Sequence, residues 1–148
     1  MTSVSVRVSQ LGEDAGYGLF ANKPFKPGDF IASYQGRARR GPCLRQDAKE
    51  TAYVFEWEDE DTGETFHIDA LDDPCPAMYC NDARGPISIK GLDNNAYFDI
   101  SDSMQPCLRA MEHIDPRDEI FVSYGKDYWR GRGFFLSAQR KKKRLILS

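Results

Sequence analysis

Val4, Val6 and Val8 alternate with Ser5, Arg7 and Ser9. A helix cannot use this period of two, because its covered positions recur at three and four. The same short pattern returns along the chain between turns rich in glycine and proline. Strands are expected over 4–8, 17–21, 30–34, 53–57, 65–70, 95–100 and 107–113, with turns at Lys26-Pro27-Gly28-Asp29 and Asp115-Pro116-Arg117-Asp118. Residues 58–64, acidic and closed by Gly63 and Glu64, make 53–70 a hairpin. Ile120, Val122 and Tyr124 predict a half-buried strand that stops at Gly125, with Tyr128 and Trp129 crowding its exit. Residues 37–49 read as loop or short helix, and 126–137 as a short aromatic-rich helix weakened by Gly131 and Gly133. Pro74, Pro76 and Pro86 argue against a long helix in the middle. Strand and long helix never alternate, which excludes a parallel α/β architecture. The expectation is a mainly β fold of several small sheets with few short helices.

At 148 residues the chain is long enough for one real core. No apolar run approaches the roughly 20 residues that span a bilayer, and the start carries no basic and apolar secretory pattern. Cys43, Cys75, Cys80 and Cys107 form no Cys-x-x-Cys pair, and His67 and His113 stand at no ligand spacing from them. Reduced, partly buried thiols and no structural zinc are therefore expected. The net charge of −3 conceals an asymmetry. Without the block Arg140-Lys141-Lys142-Lys143-Arg144, 15 cationic residues face 23 acidic ones. Such a body attracts a basic protein partner and repels nucleic acid, whereas the tail does the opposite. The division expected is a domain over 1–137 and a basic tail over 138–148.

Gly16-Tyr17-Gly18-Leu19-Phe20-Ala21, Gly28-Asp29-Phe30-Ile31 with Tyr34-Gln35-Gly36, Ile68-Asp69, Asn81, Asn95 and Asp118-Glu119-Ile120 through Tyr124-Gly125 follow one another in order. In that order they resemble the SET-domain protein-lysine methyltransferases, in organisation the minimal single-domain viral type. The resemblance implies the SET fold with a knot-like threading near the C-terminus. It also implies S-adenosylmethionine as methyl donor, S-adenosylhomocysteine as product, and no metal. Tyr124 matches the tyrosine that ends the family's last strand and is the expected catalytic residue. Tyr17, Tyr53, Val122 and Tyr128 match positions of the lysine channel. Gly16, Tyr17, Gly18, Asn81, Asp82, Tyr124 and Trp129 match positions at the cofactor.

The chemistry explains why such residues suit the task. Methyl transfer is an in-line displacement by a neutral amine, so alignment and desolvation are what the protein must supply. A rigid phenol oxygen can orient a methyl group through weak C–H···O contacts, and tyrosines can surround a lysine stem. Gly16 and Gly18 would let backbone approach the cofactor, with no Cβ between. Val122 stands where the family often has a Phe or Tyr that limits methylation, so the resemblance implies room for more than one methyl group. Two departures stand out. Asp82 replaces the family's histidine, and about a dozen residues separate Asn81 from Asn95, an excess typical of a loop insertion. The zinc clusters that flank many chromatin members are also missing, which leaves Trp129, Phe134 and Phe135 to close the channel. A histone tail is the implied substrate, with the acidic hairpin as a groove wall and a nuclear location, or the host nucleus for a viral protein, with the cytoplasm as the alternative; residues 140–144 suit a localisation signal, a nucleic-acid contact or a solvated tail, and a homodimer stays open. Methylation of non-histone proteins and a silent module that binds peptide or chromatin are the other readings.

Overall fold

The computed structural model describes residues 2–35, 37–42, 54–59, 61–69, 74–100 and 105–124, and the backbone of 134–136. Among these, ten strands form three small sheets. The first holds β1 (Val4–Val8), β2 (Tyr17–Ala21) and β9 (Glu119–Ile120), with β2 in the centre. The second has the order β10 (Phe134–Leu136), β5 (Val54–Glu58), β6 (Thr65–Asp69), β4 (Arg39–Arg40). The third places β8 (Pro106–Ala110) between β3 (Phe30–Ser33) and β7 (Ala96–Ile100). Helical structure among the described residues is limited to 3-10 turns at Glu13–Ala15 and Pro76–Tyr79. No helix among them is long and apolar enough to cross a membrane.

Most expected strands stand within a residue or two of where the pattern put them, and β5 and β6 form the expected antiparallel hairpin. Three readings change. Arg39–Arg40, within a stretch expected as loop or short helix, is a two-residue strand held by pairing with β6. Phe134–Leu136 is a strand, paired in parallel with β5, where a short helix was expected; three consecutive bulky residues next to an open sheet edge gain more from pairing than from one helical turn. Residues Glu119 to Tyr124 are buried on both faces, so the alternation of Ile120, Val122 and Tyr124 does not mark a half-buried strand. Conversely, the valines of β1 are covered only at one end, since Val4 is buried while Val8 is 68% exposed at the sheet's edge. The residues after Tyr124 that would carry the knot-like threading lie largely outside the described residues.

Aromatic packing ties the second and third sheets together. Phe55 meets Phe98 edge-on at 4.8 Å between ring centres and Tyr34 at 5.7 Å, while Trp57 stacks on Phe66 at 5.8 Å. Such pairs add about 0.5–1.5 kcal/mol each beyond the area they bury. Tyr34, Phe55 and Trp57 are almost wholly excluded from solvent.

The two proline turns share one design. In the first, the Lys26 N–H donates to Asp29 Oδ2 and the Asp29 N–H to the Lys26 carbonyl, with Gly28 at φ 88°. In the second, the Asp115 N–H donates to Asp118 Oδ2 and the Asp118 N–H to the Asp115 carbonyl. Here Arg117 takes the glycine's place at φ 76°, a left-handed conformation that costs a side-chain-bearing residue about 1–2 kcal/mol. Since Arg117 is exposed, Arg117→Gly is expected to raise stability by up to about 1 kcal/mol. Urea unfolding measures this, and a lowered midpoint would show that the arginine side chain contributes more than its backbone costs.

Candidate active site

From β9 onward the segment changes partners at nearly every residue. Glu119 and Ile120 pair with Phe20 and Leu19 of β2. Phe121 forms a parallel bridge to Asn81 and Val122 one to Ala96. The Val122 N–H donates to the Asn81 carbonyl at 2.9 Å, and the Phe121 carbonyl accepts from the N–H groups of both Asn95 and Ala96. Asn95 completes this with its side chain, donating from Nδ2 to the Glu119 carbonyl and accepting at Oδ1 from the Phe121 N–H. One amide side chain thus substitutes for a stretch of strand partner. The whole arrangement delivers Tyr124 to the floor of a cavity of about 410 Å³.

The first wall is the loop from Leu11 to Tyr17. Its base is closed by the Ser9 N–H donating to the Gly16 carbonyl at 2.9 Å. Gly16 stands at φ 68°, ψ −124°, a conformation essentially reserved for glycine; a Cβ there would meet nothing within 4 Å. Backbone freedom therefore already explains this glycine. Gly18 has a different reason. It does not line the cavity, and a Cβ on it would lie 2.2 Å from Glu119 Oε2 and 3.3 Å from Ser9 Cβ. Glu119 is 3% exposed and anchors the loop: Ser9 Oγ donates to Oε2 at 2.7 Å and the Gln10 N–H to Oε1 at 2.8 Å. Glu119 was not singled out from sequence. A carboxylate directly before an apolar strand pattern reads as solvent-facing, and only the fold turns it inward.

The second wall runs from Met78 to Asp82. Asn81 Nδ2 donates to the Tyr17 carbonyl at 2.9 Å, joining the two walls, and the rings of Tyr17 and Tyr79 meet edge to face at 6.4 Å. Tyr17 itself is 58% exposed at the rim. The third wall is Gly85, Pro86 and Ile87, from the excess residues between Asn81 and Asn95. This excursion is tied at its neck, where the Ala83 N–H donates to Asn94 Oδ1 at 2.8 Å and Arg84 grips Asp93 with two hydrogen bonds of 2.8 and 3.0 Å. The Arg84 guanidinium, with the Asn94 N–H, holds the Asp93 carboxyl below its ordinary range. Ile87 and Leu92 pack back on Leu11, Ala83 and Phe121.

Tyr124 is fixed at both ends. Its hydroxyl donates to the Cys80 carbonyl, and its backbone N–H donates to Asp82 Oδ2 at 3.0 Å. Gly16, Tyr17, Asn81, Asp82 and Tyr124 therefore converge on one cavity. Val122 is buried in the main core and is not among the lining residues. Tyr53, Tyr128 and Trp129 lie outside the described residues, as do the side chains of Phe134 and Phe135. Tyr79 and Ile87 are lining residues that carried no sequence signal.

Cys75, Cys80 and Cys107 are buried thiols; Cys43 lies outside the described residues. Among the described residues no group of three His, Cys, Asp or Glu side chains could hold a metal. Cys80 Sγ donates to the Ile120 carbonyl at 3.2 Å. Burial, with the Glu119 and Asp82 carboxylates adding to it, pushes the Cys80 thiol well above its ordinary pKa. The folded protein holds this proton more tightly than the unfolded chain does. The associated stability is complete below the ordinary thiol range and is lost as pH rises through the raised value.

Two measurements follow from this geometry. Iodoacetamide at pH 8 is expected to leave Cys80 unmodified in the native protein and to alkylate it after unfolding, read by peptide mass mapping; rapid native alkylation would contradict the buried, protonated thiol. Gly18→Ala is expected to push the Glu119 carboxylate off Ser9 and Gln10 and to cost about 1–3 kcal/mol. An unchanged unfolding midpoint would show that the carboxylate shifts without loss.

The family model for the SET domain matches residues 16–125. No curated protein sequence matches the chain. Among solved structures, an active polycomb repressive complex 2 in the basal state matches with a TM-score of 0.64 and 22% identity, over 90% of this chain and 17% of that one. The methyltransferase domain of human PR domain-containing protein 2 matches at 0.57 and 20%, over 84% of this chain and 78% of that one. The ctPRC2 structure in an autoinhibited conformation bound to S-adenosylmethionine matches at 0.60 and 22%, over 84% of this chain and 15% of that one. The protein thus spans less than a fifth of the polycomb chains it matches, and these likenesses carry the fold. The family match covers most of the 148 residues, with Gly16, Asn81 and Tyr124 all inside it, so the chain belongs to the SET domain family.

Proposed function

We propose that the protein transfers methyl groups from S-adenosylmethionine to the side-chain amine of lysine in a protein substrate, with a histone tail as the substrate class. The observation that carries this reading is the convergence of Gly16, Tyr17, Asn81 and Tyr124 on one cavity. Membership of a family of protein-lysine methyltransferases supports the reaction class. A neighbour of the same fold bound to S-adenosylmethionine supports the donor.

The lining suits that donor. Its volume of about 410 Å³ lies in the range of small-molecule sites. Leu11, Met78, Ile87 and the ring of Tyr79 offer apolar surface, whereas Asp14 and Asp82 bring negative charge toward a cationic ligand. Gly16, Tyr17, Asn81, Asp82 and Tyr124 would hold it. When bound, S-adenosylmethionine supplies a methyl carbon made electrophilic by a positively charged sulfur.

The chain's own residues then have two tasks. Tyr124 gives its hydroxyl proton to the Cys80 carbonyl, so toward any other group its oxygen can only accept. It therefore suits the orientation of a polarised methyl group through C–H···O contacts, and no proton has to pass through it. The apolar walls exclude water from an entering lysine stem, which lowers the amine's pKa and favours the neutral nucleophile. Tyr17 at the rim, with Tyr53 and Tyr128, would flank that stem, and Trp129 would complete the donor site. An acidic body, 23 acidic against 15 cationic residues without the block at 140–144, favours a basic substrate; this and the polycomb neighbours support a histone and a nuclear location.

The test is incubation with methyl-labelled donor, a panel of histones and an unfractionated protein extract, with the product lysines read by mass spectrometry. Labelled lysine in a histone is expected, and Tyr124→Phe should lower kcat by about a hundredfold, because misplacement of the reacting atoms is costly. Donor binding without transfer to any protein would favour the silent binding module, and transfer confined to the extract would favour a non-histone substrate. No donor binding by calorimetry would reject the reading outright.

A further inference from the structure

Asp82 stands where the family's histidine is expected, and it is 6% exposed. Three donors converge on its carboxylate. Oδ1 accepts from the Arg84 N–H at 2.9 Å and from Asn94 Nδ2 at 3.1 Å, and Oδ2 accepts from the Tyr124 N–H at 3.0 Å. Only an acceptor-only side chain meets three donors on two separate atoms. A neutral imidazole offers one acceptor nitrogen, and an amide must aim its NH2 at one donor or the other.

The placement of this carboxylate matters because of where Tyr124 sits. Beyond Val122 the segment is no longer assigned to a strand, and the Tyr124 N–H is taken by a side chain. Its hydroxyl is taken by Cys80, two residues before Asp82. Both polar ends of the tyrosine thus hang on one short segment. That segment is itself braced by the neck of the excursion through Asn94 and Arg84.

We infer that Asp82 is a positioning residue for methyl transfer: its carboxylate fixes the backbone of Tyr124 and couples that tyrosine to the neck of the 82–94 excursion. The replacement of histidine by aspartate is then a change in how the tyrosine is held, and it does not mark a lost activity. This inference rests on the proposed methyl transfer.

The experiment compares wild type, Asp82→Asn and the exchange Asp82→Asn/Asn94→Asp. In the single variant the amide oxygen keeps Arg84 and Asn94 as partners and presents its NH2 to the Tyr124 N–H. In the exchange variant the carboxylate at position 94 accepts from the Ala83 N–H and from the amide at position 82, whose oxygen can then face Tyr124. The Arg84 N–H loses its acceptor in that arrangement. The expected result is a fall in kcat of at least about tenfold for the single variant, with faster exchange of the Tyr124 amide hydrogen. In the exchange variant kcat and the Tyr124 amide should recover while Tm stays below wild type. A kcat in Asp82→Asn equal to wild type, or a loss that the exchange variant does not restore, overturns the positioning role and leaves the methyl-transfer reading standing. A wild-type protein that binds the donor and transfers nothing overturns both.

Discussion

The structure depends on satisfying the backbone of one buried segment, Glu119 to Tyr124. A buried N–H or carbonyl without a partner costs on the order of a few kcal/mol, and among the described residues no single strand runs alongside this segment for its whole length. The fold solves this piecewise. β2 takes the first two residues, Asn81 and Ala96 take the next two through parallel bridges, and the side chains of Asn95 and Asp82 accept from the N–H groups of Phe121 and Tyr124. Each partner comes from a different part of the chain, so the segment also joins the first sheet to the third.

The same requirement creates the cavity. Because the segment's neighbours are loops and single bridges, space stays open between the 11–17 loop and the 78–87 region, with Tyr124 beneath it. Glu119 holds the first of these against Ser9 and Gln10, and Asp82 holds the second against Tyr124. Two buried carboxylates, each accepting hydrogen bonds on both oxygens, thus fix opposite sides of the site. Burial, with these two carboxylates adding to it, raises the pKa of the Cys80 thiol beside the phenol.

The sequence was informative where a local rule suffices. Alternation placed the strands, proline and glycine placed the turn at Gly28, and motif order brought Gly16, Asn81 and Tyr124 into one expected site. It was misleading where pairing partners decide. Phe134–Leu136 has the composition of a short helix or a strand, and the open edge of β5 selects the strand. Gly18 illustrates a subtler difference: glycine is required there, yet by the carboxylate of Glu119, a residue far along the chain.

What the sequence by itself determined is the set of short strands, the turns and the motif residues that the fold gathers at one cavity, because period, turn preference and motif are properties of neighbouring residues. The tertiary structure alone decided that Glu119 faces inward, that Asp82 grips the backbone of Tyr124, and that Pro86 and Ile87 wall the cavity. Those outcomes depend on which distant hydrogen-bond donors and apolar surfaces are brought together, and no local pattern encodes them.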